Sequence, residues 1–130
     1  MLWIDEVVYL EESEMCCRLS IRREHVFVTD AHVEPLTAIE WMAQTVGAMI
    51  GLRDREKRQL PRPGYLIAVP EASFHVDEFR VGDELLIIAR CAFGDDELAS
   101  FECRVERSGE TAAKGRLSVY RTPASGGPTQ

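Results

Sequence analysis

The segment Leu36–Leu52, LTAIEWMAQTVGAMIGL, decides the fold because it is the only long segment with a helical apolar pattern. The residues of one helix face, spaced three or four apart, are Leu36, Ile39, Ala43, Val46 and Ile50. Most of the remaining circumference is also apolar, through Trp41, Met42, Ala48, Met49 and Leu52. A helix that is apolar nearly all round must be buried on most sides. We therefore expect a central helix that the rest of the chain encloses.

Glu40 and Gln44 are the exceptions in this helix, and they lie one turn apart on the same face. A carboxylate on an enclosed helix is satisfied by a partner or is kept for chemistry, because burying it alone is costly. An isolated acid on an apolar helix makes Glu40 the best candidate for a functional residue. Gln44 is either part of the same site or a simple polar neighbour.

Length and composition favour a single globular domain. The chain has 130 residues and a net charge of −7, which argues against broad binding to nucleic acid or to anionic membranes. Charged or polar residues interrupt every long apolar run and no signal peptide is recognisable, so we expect a cytoplasmic protein. The four cysteines form no C-x-x-C pair and no histidine cluster accompanies them, so we expect reduced thiols and no metal site.

The rest of the chain shows the alternation of β-strands on both sides of the helix. Two strands are predicted before it and four after it: Met1–Leu10, Glu14–Arg22, Tyr65–Val76, Glu84–Phe93, Leu98–Arg107 and Thr111–Arg121. Pro70 predicts a bulge or an edge position within its strand. The helix is expected to end in an exposed charged segment, Arg53–Arg58. We predict one domain over residues 1–122 and a disordered polar tail over residues 123–130.

This order predicts an α+β fold in which one antiparallel sheet of about five to six strands wraps one helix. A single sheet cannot cover such a helix on every side. Edge pairing of two sheets in a dimer would supply the missing cover.

Three motifs resemble the hotdog-fold hydroxyacyl-acyl-carrier-protein dehydratases, and most closely the dehydratase-like family of aryl polyene synthesis. Met1–Val7 resembles the opening "M-L-L-D-x-V" strand, and Arg80–Leu85 resembles the "V-x-P-G-D-x-L" turn without its proline. Glu40–Gln44, EWMAQ, matches the helix motif "E-x-M-A-Q" and is the most specific of the three.

The resemblance implies dehydration of a 3-hydroxyacyl thioester to the trans-2-enoyl form, in fatty-acid or polyene-type synthesis. This chemistry needs a base for the C2 proton, an acid for the departing hydroxyl and donors for the thioester oxygen. Glu40, shielded from water beside Trp41, would stay protonated and act as the acid, and Gln44 would hold it in place. Backbone N–H groups near Pro35 and Leu36 would polarise the carbonyl, and Trp41 would also line the acyl tunnel. In this fold the histidine and the acid come from opposite subunits, so a homodimer or a higher even oligomer is implied.

The histidine that would act as the base is ambiguous, because the "H-F-x-G" loop of the dehydratases is missing as a motif. Laying Glu24–His32 over the family stretch "E-p-f-F-x-G-H" places Phe27 at the family phenylalanine and His32 at the catalytic position. Counting back from Glu40 arrives instead within one residue of His25. We favour His32, because a loop just before the helix can reach its N-terminus.

The charged end of the helix suggests a partner. Arg53 and Arg58 belong to a basic cluster that is either a solvated helix end or a docking site for an acidic acyl carrier protein. No cofactor is expected beyond the phosphopantetheine that carries the substrate.

Two other functions stay open, because fold alone does not choose among them. One is an acyl thioesterase, in which Glu40 activates water and no histidine is required. The other is a non-catalytic hotdog subunit that pairs with a competent dehydratase. The sequence does not indicate the acyl chain length, or whether acyl carrier protein or coenzyme A carries the substrate.

Overall fold

The computed structural model describes residues 2–25, 28–60, 62, 64–95 and 97–122. In chain order the strands are β1 (Glu6–Leu10), β2 (Glu14–Ser20), β3 (His32–Val33), β4 (Gly64–Phe74), β5 (Phe79–Arg80), β6 (Glu84–Gly94), β7 (Leu98–Arg107) and β8 (Glu110–Arg121). The helix α1 spans Ala38–Glu56 and follows a short 3-10 turn at Pro35–Thr37. Phe27, Asp96 and the predicted tail over residues 123–130 lie outside the described residues.

Six strands form one antiparallel sheet in the order β1-β2-β6-β7-β8-β4, and β3 pairs with β5 in a small separate sheet. The alternation in the sequence places one set of side chains against the helix. In β7, for example, Phe101, Cys103 and Val105 are buried as predicted. On β8 a Cβ added to Gly115 would lie 2.9 Å from Met42 Sδ, so glycine permits close approach of the helix. The predicted α+β hotdog fold, one helix packed on a six-stranded sheet, is confirmed.

The sheet covers only one face of α1. The buried residues of the helix are Ala38, Trp41, Met42, Thr45, Val46, Met49 and Asp54. The opposite side is open: Glu40 and Gly47 are exposed, and Leu36 in the preceding turn is 64% exposed. A single chain therefore does not enclose the helix on most sides as its apolar sequence predicts. The dimer that would complete the cover stays a prediction.

The helix is longer than predicted and its charged end is only partly exposed. Residues 53–56 continue α1, in keeping with the good helix propensity of Arg and Glu. Within this segment Asp54 is buried, and its carboxylate accepts a hydrogen bond from Arg121 of β8. The prediction of a fully exposed segment was wrong here, because this buried ion pair joins residues far apart in the sequence.

Both edges of the sheet differ from simple strands. β4 is an edge strand and its pairing with β8 shifts register on either side of Ala68, which confirms the irregularity expected around Pro70. At the other edge β1 begins at Glu6, whereas Trp3 precedes the strand and is 1% exposed.

Of the helical segments that the structure describes, none is both long and apolar enough to span a membrane.

Candidate active site

Glu40 is held on the open face of α1 by a short relay of hydrogen bonds. Gln44 Nε2 donates to Glu40 Oε2 at 2.9 Å, and the backbone N–H of Trp3 donates to Gln44 Oε1 at 2.8 Å. The i, i+4 spacing places Gln44 one turn above Glu40, so the amide reaches the carboxylate without distortion. This is the contact expected of a residue that positions a carboxylate, although the catalytic roles of both residues stay predictions.

The Glu40 side chain is exposed in the single chain. Trp41, expected to shield it from water, points the other way into the core and is 0% exposed. The described chain alone therefore does not create the low-polarity environment that an acid catalyst needs. A second subunit or the substrate would have to cover this face.

An aromatic cluster lies directly beneath the Glu40 relay. The Trp3 ring centroid is 5.4 Å from that of Trp41, which in turn lies 4.9 Å from that of Phe79, both in edge-on geometry. Such contacts stabilise a core beyond their buried area. Trp41 thus has a structural role, and it lines neither the groove nor the cavity described below. Its predicted contact with substrate stays a prediction.

His25 belongs to this cluster. Its ring lies 4.2 Å from the Trp3 ring, the residue is 5% exposed, and Nδ1 accepts a hydrogen bond of 3.0 Å from the Arg22 N–H. Burial, with a smaller contribution from the Arg22 charge, lowers the pKa of His25, so its ring is neutral at pH 7. Nε2 is buried and has no hydrogen-bond partner among the described residues. A chain of contacts links His25 to Glu40. The His25 ring packs on Trp3, the Trp3 N–H bonds to Gln44, and Gln44 bonds to Glu40.

His32 lies elsewhere. It sits on β3 opposite Arg80, is exposed, and its Nδ1 is 3.7 Å from Glu78 Oε2. No described contact within the chain joins His32 to Glu40. The preference for His32 over His25 therefore stays a prediction, and the resemblance implies that His32 would act with the Glu40 of a second subunit.

A narrow groove of about 220 Å³ begins one turn beyond Glu40 and runs beside β4. Its lining residues are Ala43, Val46, Gly47, Ile50, Gly51, Asp54, Arg62, Gly64, Leu66, Leu117 and Val119. Ala43, Gly47 and Gly51 share the helix face of Glu40, and a Cβ on either glycine would meet nothing within 4 Å. These glycines were not identified from the sequence as part of a groove. The repeat of small residues on the helix face of Glu40 could have indicated it.

Two further depressions differ in chemistry from this groove. One of about 450 Å³ lies at the C-terminal end of α1 and includes Arg53, Lys57 and Cys91. Another of about 730 Å³ lies beside β4, β7 and β8 and is lined largely by charged side chains.

The other predicted substrate-binding residues lie at the two ends of α1. Pro35 has no N–H to donate and the Thr37 N–H already bonds to the Glu34 carbonyl at 3.1 Å, so a backbone donor in this turn would come from Leu36. Arg53 donates to the Glu11 carbonyl, and Arg58 follows the helix end, exposed. At 1.5 Å per residue Arg53 lies about 20 Å along the helix axis from Glu40, and Arg58 lies beyond the helix end, so the structure does not bring them together with Glu40.

The buried cysteines do not offer a nucleophile. Cys16, Cys17 and Cys103 are free and buried. Burial raises the pKa of Cys16 to about 11 and that of Cys103 to about 12. Both thiols are therefore protonated and unreactive at neutral pH.

Comparison with known proteins agrees with the motifs. A family model described as ApeP-like, ApeP dehydratase, matches residues 1–127. The structure described as the dehydratase heterocomplex ApeI:P from Xenorhabdus doucetiae aligns with a TM-score of 0.87 at 24% identity, covering 94% of this chain and 84% of that one. No curated protein sequence gives a significant match.

More distant structures share only the fold. A hypothetical thioesterase with coenzyme A from Streptococcus pneumoniae aligns with a TM-score of 0.70 at 10% identity, over 92% of this chain and 89% of that one. The PaaI protein from the E. coli phenylacetic acid degradation operon gives 0.71 at 9% identity, over 92% and 80%. The match of the family model over nearly the whole chain is the decisive finding, and the chain belongs to the ApeP-like dehydratase family.

Proposed function

We propose that this protein dehydrates a 3-hydroxyacyl thioester to the trans-2-enoyl thioester, in fatty-acid or polyene-type synthesis, with Glu40 as the acid. The observation that carries the proposal is the Glu40–Gln44–Trp3 relay, which fixes a carboxyl group on the helix face whose next turns line a mostly apolar groove. A positioned carboxyl beside an apolar groove is what the departing hydroxyl and the acyl chain require.

The proposed step moves two protons. A histidine base removes the C2 proton of the substrate, the C2 electron pair forms the C2–C3 double bond, and the C3–O bond breaks. Glu40 gives its proton to the departing oxygen, which leaves as water. The base, now protonated, returns a proton to the Glu40 carboxylate through solvent before the next turnover.

His32 is our proposed base, and His25 is the alternative. The exposed ring of His32 can meet a substrate bound against a second subunit, whereas the ring of His25 is packed under Trp3. His25 in turn has the contact path to Glu40. We assign His25 a positioning role, and paired variants of the two histidines test this assignment.

A second subunit at the β4 edge would complete the site. Tyr65, Leu66 and Ile67 on this edge strand are 51%, 44% and 56% exposed, and unpaired apolar edges favour association. Because Leu66 also lines the groove, a subunit paired at this edge would lie next to the groove, and we propose that it also covers the open face of Glu40. We propose a homodimer or higher even oligomer of this kind, which takes its substrate from an acyl carrier protein.

The related ApeI:P structure favours a second arrangement, since it is described as a heterocomplex. In that arrangement the second subunit is a different hotdog protein, and this chain contributes half of a shared site. The lack of a described contact between His32 and Glu40 within one chain fits a site divided between subunits.

The test is turnover of trans-2-butenoyl-pantetheine by the purified full-length chain, with its mass in solution measured in parallel. Loss of the enoyl-thioester absorbance with formation of the 3-hydroxyacyl product supports the dehydratase. Release of free thiol without hydration contradicts it and indicates a thioesterase. No turnover by the chain alone, restored by adding a second hotdog protein, overturns the homodimer and supports the shared site.

A further inference from the structure

The groove beside Glu40 ends at a buried ion pair. Asp54 is the last helical residue lining it, and the Asp54 carboxylate accepts a hydrogen bond from the Arg121 guanidinium. The two side chains are 5% and 12% exposed. From Ala43 to Asp54 the groove follows α1 for about 16 Å.

This ion pair lies where two cavities meet. Ile50, Asp54 and Val119 line both the groove of about 220 Å³ and the cavity of about 450 Å³, and Arg121 lines the second cavity. The two spaces are therefore separated by a thin wall that consists of two apolar side chains and one charged pair.

Burying a charged pair in such a wall has a large desolvation cost. Removing two charges from water costs several kcal/mol per ion before their attraction is counted, and apolar residues of similar volume are often as stable. Moreover, Arg121 Nε is buried and has no hydrogen-bond partner in the described ranges. Core stability alone therefore does not account for the charges at this position.

We infer that the Asp54–Arg121 pair sets the longest acyl chain that the groove accepts. This inference rests on the proposed function, in which the acyl chain extends from Glu40 along the face of Ala43, Gly47 and Gly51. A methylene chain gains free energy for each carbon buried in the apolar groove. At Asp54 the next carbon would have to displace or desolvate a charged pair, so the gain stops there.

The glycines give the groove its depth. A side chain at Gly51 would project into open space within the groove, one turn before the ion pair. Filling that space is expected to shorten the accepted chain, whereas removing the charged wall is expected to lengthen it. Two changes with opposite expected effects make the inference testable.

The experiment measures binding, so that it does not depend on turnover. Saturated acyl-pantetheine thioethers of increasing even chain length are titrated against the full-length wild type, the Asp54→Leu/Arg121→Met double variant and Gly51→Leu. Exposed Arg55→Leu on the same helix is the matched control. Urea unfolding confirms that each variant is folded.

In the wild type we expect affinity to rise about tenfold for each two carbons and then to stop rising at a definite length. We call the chain length at which affinity stops rising the break. The double variant is expected to move the break to longer chains and Gly51→Leu to shorter chains, whereas Arg55→Leu should leave it unchanged. A break at the same length in all folded variants overturns the inference, as does a wild type that binds no thioether. Should the double variant fail to fold, Gly51→Leu decides alone.

These binding data, together with the turnover assay above, distinguish this inference from the proposed function. A chain-length break that moves in these variants, without any turnover of enoyl or hydroxyacyl thioesters, would retain the groove and reject the dehydratase. Normal turnover, with affinity that stops rising at the same chain length in every variant, would support the dehydratase and overturn the inference. A break that disappears in Arg53→Ala/Arg58→Ala, with both groove variants unaffected, would show that the acyl chain avoids the groove and overturn the inference.

Discussion

The backbone N–H of Trp3 donates a 2.8 Å hydrogen bond to Gln44 Oε1, and this contact joins residues separated by 41 positions. Trp3 lies before the first strand, so the contact ties the N-terminal segment to the central helix. The other end of the same amide holds Glu40. One side chain therefore links the stability of the N-terminal segment to the position of the candidate catalytic acid.

Replacing Gln44 with Met is expected to lower both activity and stability. The apolar side chain has similar length but leaves the part-buried Trp3 N–H unpaired, which should cost about 1 kcal/mol in the free energy of unfolding. Glu40 loses its positioning contact, and kcat should fall more than KM changes. Urea unfolding and steady-state kinetics measure the two effects. A kcat equal to that of the wild type would show that Gln44 is only a polar neighbour.

Replacing Gly47 or Gly51 with Ala is expected to stabilise the protein by about 0.5–1 kcal/mol each, because glycine inside a helix is unfavourable and a Cβ has room at both sites. Thermal unfolding measures this. Gly115→Ala is the contrasting variant, since its Cβ would meet Met42 at 2.9 Å and should destabilise the core. Loss of stability in either helix variant would mean that the second subunit packs directly on these glycines and leaves no open groove.

His25 is expected to make stability depend on pH. Its pKa is lowered from the ordinary value of 6.5 because the ring is buried. Just below pH 6.5 the imidazole is protonated in the unfolded chain but stays neutral in the folded chain. The free energy of unfolding should therefore decrease as the pH falls below about 6.5. His25→Gln keeps a hydrogen-bond acceptor for the Arg22 N–H and removes the titration. Wild-type and variant curves that run parallel from neutral to mildly acidic pH would contradict the neutral, buried state of His25.

The two histidines should differ in activity assays. His32→Ala is expected to reduce kcat/KM by at least about 100-fold, the usual contribution of a general base, with little change in stability because the ring is exposed. His25→Gln is expected to reduce activity less and stability more. Steady-state kinetics with an enoyl thioester compare them. The opposite order would transfer the role of base to His25.

The sequence predicted the fold well because the signals were local and strong. The apolar period of residues 36–52 and the alternation around Phe101, Cys103 and Val105 each depend on a few neighbouring residues. The motif at Glu40–Gln44 also predicted the contact between its two polar side chains.

What the sequence missed are features that depend on residues far apart. The burial of Asp54 depends on Arg121, and the burial of His25 depends on Trp3. Neither pairing leaves a pattern at fixed spacing. The exposure of Glu40 was missed for another reason, because an apolar helix shows that cover is needed but not whether the same chain provides it.

The most direct test of the account is the activity of Glu40→Gln in the assembled protein. Because the side chain is exposed in the single chain, the variant should fold and assemble with unfolding close to that of the wild type. Hydration of the trans-2-enoyl thioester should fall by about 100-fold or more, the contribution of a lost general acid, while binding of an acyl-pantetheine thioether is retained. A folded, assembled Glu40→Gln variant that hydrates the enoyl thioester at the wild-type rate would contradict the central role of this carboxyl group.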